Sequence, residues 1–509
     1  MQSRPRAVLG WALLAGIAGC APQPAPVPAE LRVAVHSDPL ALDPHRHNEA
    51  LTFSLLRNVY EPLTSFDDRM QVGPSLALSW ENPSDTTWVF HLRPGVRFHD
   101  GSPFGAADVV WSLERVRRAD ASGFGSYLVA VAGLRAIDEL TVEITTLRPY
   151  PILLNKLAFI AIVPRGSPVP IERPVGTGPY RFASFSPGKG LALEAFDHYW
   201  GPHPQEPRVV FLPVGDRGER VDLLERGAID VAQEPGPENA ARLAGAPGLK
   251  LVEGEGLLVI YLLLRAEHGG PLADPRVREA IDLAIDRDDL VRRLGAGFGA
   301  SAGQLVSRNA FGYSAGLAPE ARDLARARTL LGEAGLGGGF DLEIQLRDDR
   351  QPIAEALAAQ LGEAGIRVAV TAEPWSRLFP ALREGGPRQA YLGGVLTASA
   401  DASDVFDGMV HSRDAERGYG DNNYAGYRNP QLDALIEESS STLDMLSRRR
   451  LLEQCSVLLA QDRVYLPLFA PYILYGARQE IAWQPRLDGW LLASEVSRRE
   501  TRSLPATAR

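Results

Sequence analysis

Asp401, Asp404 and Asp407 recur every third residue in TASADASDVFDGM. Carboxylates this close can hold a hard cation or a cationic group on a ligand, although the spacing is not that of an EF-hand loop. The same residues also read as the capped start of a helix. His45, His47 and Glu49 offer imidazole and carboxylate donors. They stand in a polar stretch with no second His or Cys cluster beside it. That stretch reads as a solvated loop, and no metal is expected. His99-Asp100 precedes Gly101 at a strand end and reads as a turn, not a catalytic pair. GAGFGASAG (295–303) has the glycines of a phosphate loop. It follows a helix, however, whereas the nucleotide fingerprint joins a strand to a helix, so it reads as a flexible connection. No nucleophile elbow, P-loop or H-E-x-x-H occurs, so neither an enzyme nor a cofactor is expected.

Two cysteines complete the reactive inventory. Cys20 ends a short apolar run and is followed at once by alternating prolines at 22, 24, 26 and 28. Cys455 sits in LLEQCSVLLAQD, whose apolar spacing is that of an amphipathic helix. With no disulfide partner and no metal-site spacing, its thiol is expected to be buried and inert.

The elements that must position these residues alternate. LRVAVH (31–36) opens as a strand. The stretch 85–104 reads as a strand, a turn at Pro94-Gly95 and a second strand. Residues 105–119 have helical spacing, and TVEITT (141–146) alternates as a strand. Two strands and an aromatic cluster fill 174–201, and 220–234 reads as a helix ending near Gly227 and a short strand. GLLVIYLLL near 257 fits a buried strand. The pattern over 273–294 predicts one helix capped by Asp274 with Pro275 at its first position. Helices at 321–335 and 352–365 alternate with strands at 340–346 and 366–374, which predicts an α/β lobe with a largely parallel sheet. Residues 429–462 read as two helices, and 464–477 returns to strand.

Totals bound the function. At roughly 150 residues per domain, 509 residues imply two to four domains. A net charge of −10 argues against nucleic acid, whose phosphates demand clustered Lys and Arg. The basic residues are almost all arginine; lysine stands only at 156, 189 and 250. Arg4 and Arg6 precede the apolar run 7–15, which is far short of the roughly 20 residues that span a bilayer. It has the form of a secretory signal. Its end, Ile17-Ala18-Gly19-Cys20, resembles a bacterial lipoprotein signal. That resemblance implies removal of 1–19, lipidation of Cys20 and a Pro-rich tether over 20–30. It also implies a soluble body held on the periplasmic or cell-surface side of a bacterial membrane. The prolines favour extended polyproline II, which gives the tether a reach of roughly 30 Å.

Several segments, in order, resemble the family 5 extracellular solute-binding proteins, the oligopeptide- and dipeptide-binding components of ABC importers. They are LDP (42–44), VYEPL (59–63), TWVFHLRPGVRFHDGSPFGAADVVWSLERV (87–116), PVGTGPYRF (174–182), FDHYWG (196–201) and GAID (227–230). DPRVREAIDLAIDRDDLV (274–291), ARTLLGEAG (327–335) and GYRNPQLDALI (426–436) follow. The resemblance implies the periplasmic-binding-protein type II fold, α/β, with two lobes that close by hinge motion and an inserted third domain. Lobe I would comprise 31–59, 174–264 and 469–509, the insert 60–173, and lobe II 265–468. It also implies a monomer that captures short peptides between the lobes and delivers them to ABC permease subunits with their ATPases. The residues expected at the ligand are Asp38, Pro39, Leu40, Tyr261, Trp375, Gly394, Val395, Thr397, Ser399, Asp401 and Asp404. In the family a carboxylate of the distal lobe pairs with the peptide's amino terminus, and 391–409 is the segment expected to carry it. This chain departs from the pattern there. Gly-Trp closely followed by an acid is replaced by Gly394-Val395, and the acids come later. The Phe-Asn usual near the hinge is replaced by Leu263, Leu264 and Arg265. A non-peptide cargo, such as a sugar, metal chelate or opine, therefore stands as the alternative within the same fold and transport role.

Overall fold

The computed structural model describes residues 30–118 and 123–499. The signal, Cys20 and the tether up to residue 29 lie outside the described residues. Three larger sheets organise the chain. The first has seven strands in the order Leu249–Gly254, Ile473–Arg478, Val231–Gln233, Glu30–Val35, Arg208–Pro213, Gly190–Ala195 and Tyr180–Ser186. The second has six, in the order Gly299–Ser301, Tyr465–Pro471, Leu258–Leu264, Ala390–Leu396, Phe340–Arg347 and Ile366–Glu373. The third is antiparallel, with four strands: Ala77–Ser84, Thr87–Leu92, Thr141–Thr146 and Val131–Asp138.

The alternation in the small sheet explains its pairing. Trp88, Phe90 and Leu92 point inward from one strand, and Val142 and Ile144 from its neighbour. The helix Ala106–Arg118 adds Val109, Leu113 and Val116 to the same core, three or four residues apart. Each such side chain stabilises the fold by about 1.5–3 kcal/mol on full burial. In the six-stranded unit, one sheet face packs Ile260, Leu262 and Leu392 on helices that include Pro275–Ala284 and Gln351–Glu363. The opposite face packs Tyr261, Leu263 and Tyr391 on helices that include Met445–Asp462. Cys455 lies there, fully buried, and burial pushes its thiol up to about 12, an inert group.

Three of the motifs behind the family resemblance, 59–63, 174–182 and 196–201, form a joint. Glu61 of VYEPL accepts hydrogen bonds from Thr177 Oγ1 (2.8 Å), Trp200 Nε1 (2.9 Å) and Tyr199 OH (2.9 Å). Gly176 and Gly178 let the second motif lie directly on the first. A Cβ at Gly176 would sit 2.0 Å from the Val59 carbonyl oxygen.

Several expectations are corrected. After Pro94-Gly95 no second strand forms; residues 97 and 103 share a single bridge. A tight turn intervenes, in which Asp100 Oδ1 accepts from the Ser102 amide at 2.9 Å. The expected single helix over 273–294 is two, Pro275–Ala284 and Arg287–Leu294. Ile285 is extended (φ −90°, ψ 122°) and Asp286 caps the second helix through the Asp289 amide. The six-stranded sheet is mixed, not largely parallel: Phe340–Arg347 pairs parallel with Ile366–Glu373 and Ala390–Leu396, and the other three pairings are antiparallel. The connection 295–303 contains a paired strand, Gly299–Ser301. The stretch 46–49 is a partly exposed loop, but His45 itself is buried, not solvated. His45 is 2 % exposed, with Nε2 2.8 Å from the Ala161 carbonyl oxygen and Nδ1 2.8 Å from Arg115. Burial, offset only in part by that carbonyl, pulls its pKa down to about 4, so the imidazole stays neutral.

The lobe boundaries also move. Leu258–Leu264 was expected in lobe I, yet it is a central strand of the six-stranded sheet. The strand expected over 464–477 splits at Tyr472 into Tyr465–Pro471 of one sheet and Ile473–Arg478 of the other. The chain therefore crosses between the two large sheets at 255–257 and at 472. An unbroken apolar run reveals burial but not the sheet that buries it.

Candidate functional site

Phe340–Arg347 and Ala390–Leu396 run parallel and so point their C-terminal ends the same way, and Leu258–Leu264 begins opposite Leu396 at that end. That end of the six-stranded unit faces the crossings. Glu30–Val35 likewise ends beside the crossing at 472, in register with Val231–Gln233 and Ile473–Arg478. The segment after Leu396 is drawn against the crossing, with the Thr397 amide donating to the Leu257 carbonyl at 3.2 Å.

The small unit closes over this segment. Asn155 Nδ2 donates to the Ser399 carbonyl at 2.9 Å, and Lys156 Nζ pairs with Asp404 Oδ1 at 2.7 Å. Both residues lie on the short helix Leu153–Leu157. The ion pair is mostly buried, its side chains 14 % and 12 % exposed. Burial works against the Lys156 ammonium, but Asp404, Tyr150 and Tyr127 outweigh it and raise its pKa, so it is charged. Phe53, Trp490, Phe159, Leu257 and Ala400 belong to one apolar cluster that reaches all three units. Arg57 lies over the Trp490 ring, 5.3 Å from its centroid.

The expected site residues sort into distinct places. Asp401 is held within its own unit by a bidentate pair with Arg448, at 2.6 and 2.8 Å, and accepts from the Ser403 amide and hydroxyl. Burial alone would push its pKa up; Arg448 and Ser403 hold it below the ordinary carboxylate value. Asp404 takes Lys156 on one oxygen and the Ser399 amide (2.7 Å) on the other. Asp407 accepts from Ser440 Oγ at 3.2 Å, and burial pushes it up to about 7. Thr397 and Ser399 are 0 % and 1 % exposed, and neither hydroxyl has a hydrogen-bond partner among the described residues. Gly394 lies beside Arg350, where a Cβ would stand 2.7 Å from Nη2. Arg350 makes no ion pair among the described residues, only a 3.4 Å bond to the Leu392 carbonyl.

Tyr261 and Val395 are core residues, and Tyr261 packs edge-on against Tyr391 and Tyr465. Trp375 is 42 % exposed and lies against Phe379, ring centroids 5.1 Å apart. On the seven-stranded side Asp38 accepts from the Gly188 amide through Oδ2 (2.6 Å), while Oδ1 is buried without a partner. Pro39 is buried and Leu40 is 60 % exposed. Asn155, Lys156, Arg350 and Arg448 escaped the sequence reading. For Lys156 a signal existed, since it is one of three lysines in the chain.

Two lobes joined by two short crossings, with buried polar groups in the seam between them, define a two-lobed binding protein of the type II fold. The chain belongs to the family 5 bacterial extracellular solute-binding proteins, whose model matches residues 71–417. It is 30% identical over 491 residues to the glutathione-binding protein GsiB of Pectobacterium atrosepticum, covering 93% of each chain. It is 27% identical to the dipeptide-binding protein of Escherichia coli K12, covering 81% of this chain and 83% of that one. The fold is similar to that of HbpA2 from Haemophilus parasuis, with a TM-score of 0.82, 23% identity, and coverage of 92% of this chain and all of the other. Among the described residues no helix is long and apolar enough to cross a membrane.

Proposed function

We propose that this protein is the membrane-tethered, extracytoplasmic receptor of an ABC importer and captures short peptides between its lobes for delivery to the permease. The observation that carries the reading is the near-full-length similarity to proteins named for glutathione and dipeptide binding. The seam fits such a cargo. Thr397 and Ser399 hold unpartnered hydroxyls at a strand end, suited to a peptide's amide groups. Arg350, without a carboxylate of its own, stands at the same end and suits a peptide's carboxylate. The lipoprotein-like signal supports anchoring through Cys20. Native mass spectrometry of the purified protein with a pooled di- and tripeptide library tests the cargo. Captured peptides and a raised melting temperature are expected; unchanged mass and melting temperature across the library would overturn the peptide reading.

A further inference from the structure

We infer that the cleft binds peptides without reading a free α-amine, because Lys156 already supplies the ammonium that the carboxylates at 401–407 would otherwise accept from a ligand. This rests on the peptide reading above and specifies which peptides fit. Two acids of the segment are neutralised by the chain itself, Asp401 by Arg448 and Asp404 by Lys156 with the Ser399 amide, while Asp407 accepts only from the Ser440 hydroxyl. Two buried or nearly buried cations, Lys156 and Arg448, stand among them. A ligand ammonium brought here would meet like charge in a setting where water screens little. The polar groups left open on this segment are the Thr397 and Ser399 hydroxyls, which are neutral, fully buried and unpartnered. They suit an amide or an acyl carbonyl as well as an amine. The small unit thereby closes on the six-stranded lobe through its own ion pair, so closure does not depend on a charge carried by the cargo. Peptides with blocked amino termini, such as N-acyl peptides, are therefore admitted on equal terms. Two carboxylates could still claim an amine: Asp407, which has only the Ser440 hydroxyl, and Asp38, through its unpartnered Oδ1.

Each peptide captured from the library is resynthesised in free and N-acetylated forms and titrated calorimetrically against the intact protein. The two dissociation constants are expected to agree within about threefold, whereas loss of a charged hydrogen bond would cost about tenfold or more. A penalty of that size on acetylation overturns the inference, and its disappearance in Asp38→Asn would reassign amine recognition to Asp38. Lys156→Met frees Asp404 and is expected to create a preference for the free amine of about tenfold. Lys156→Arg keeps the charge and should retain the parent ratio even if the Met variant folds poorly. An unchanged ratio in a folded Lys156→Met, or a free-amine preference in Lys156→Arg, overturns the role given to Lys156. If neither form of any peptide binds, the peptide reading fails and this inference with it.

Discussion

Asp401 carries its own cation, the Arg448 guanidinium, which donates two hydrogen bonds to its carboxylate. In sequence Asp401 was one of three acids open to a cation; in the structure its cation is internal, with both side chains 3 % exposed or less. Removing one partner of so buried a pair leaves an uncompensated charge. Asp401→Ala should lower stability by about 3–5 kcal/mol, read from denaturant midpoints. Replacing Asp401 and Arg448 together by apolar residues should cost less. Asp407 gives a pH signature. Its folded pKa is about 7, raised by burial from an ordinary value near 4. Between those values the folded protein keeps a proton that the unfolded chain has released. This group therefore stabilises least at high pH: its contribution falls as pH rises from about 4 to about 7 and then levels off. Asp407→Asn should be stabilised relative to the parent, and by more at pH 8 than at about pH 4. An equal difference at both pH values would count against this assignment.

The elements were readable where periodicity and caps agree, as in the strand Thr141–Thr146 and the helix starting at Pro275. They were misread where a helical pattern continues across a break. The period over 273–294 hides the extended Ile285, while Asp286 with Asp289 three residues on was a visible cap signature. Asp286→Ala removes a 2.8 Å bond to the Asp289 amide and should cost about 1 kcal/mol in an unfolding titration. Asp286→Ser should restore most of it. Sheet membership was the harder matter. GLLVIYLLL announces a doubly buried strand, but only its pairing with Ala390–Leu396 and Tyr465–Pro471 assigns it to the six-stranded lobe.

At the scale of the whole molecule, two short crossings and the Lys156–Asp404 ion pair join the six-stranded lobe to the rest of the described residues. The strand Glu30–Val35 pairs along its whole length within the seven-stranded sheet, so ligand binding is expected without the proposed anchor at Cys20. Cys20→Ala should release the protein from membranes into the soluble fraction while leaving the calorimetric affinity for captured peptides unchanged. A loss of affinity in that variant would show that anchor and body are not independent.

Much of the local order, and the family, were legible in the sequence alone. Each rests on residues close together in the chain: a period of two or 3.6, a cap, a run of motifs in fixed order. The site was decided by tertiary structure. Asn155 and Lys156 meet Ser399 and Asp404 across more than 240 positions, and Asp401 meets Arg448 across 47. No local pattern records which charge neutralises which. That choice follows from how two lobes and an insert pack, and it decides whether an acid faces a ligand or the chain's own cation.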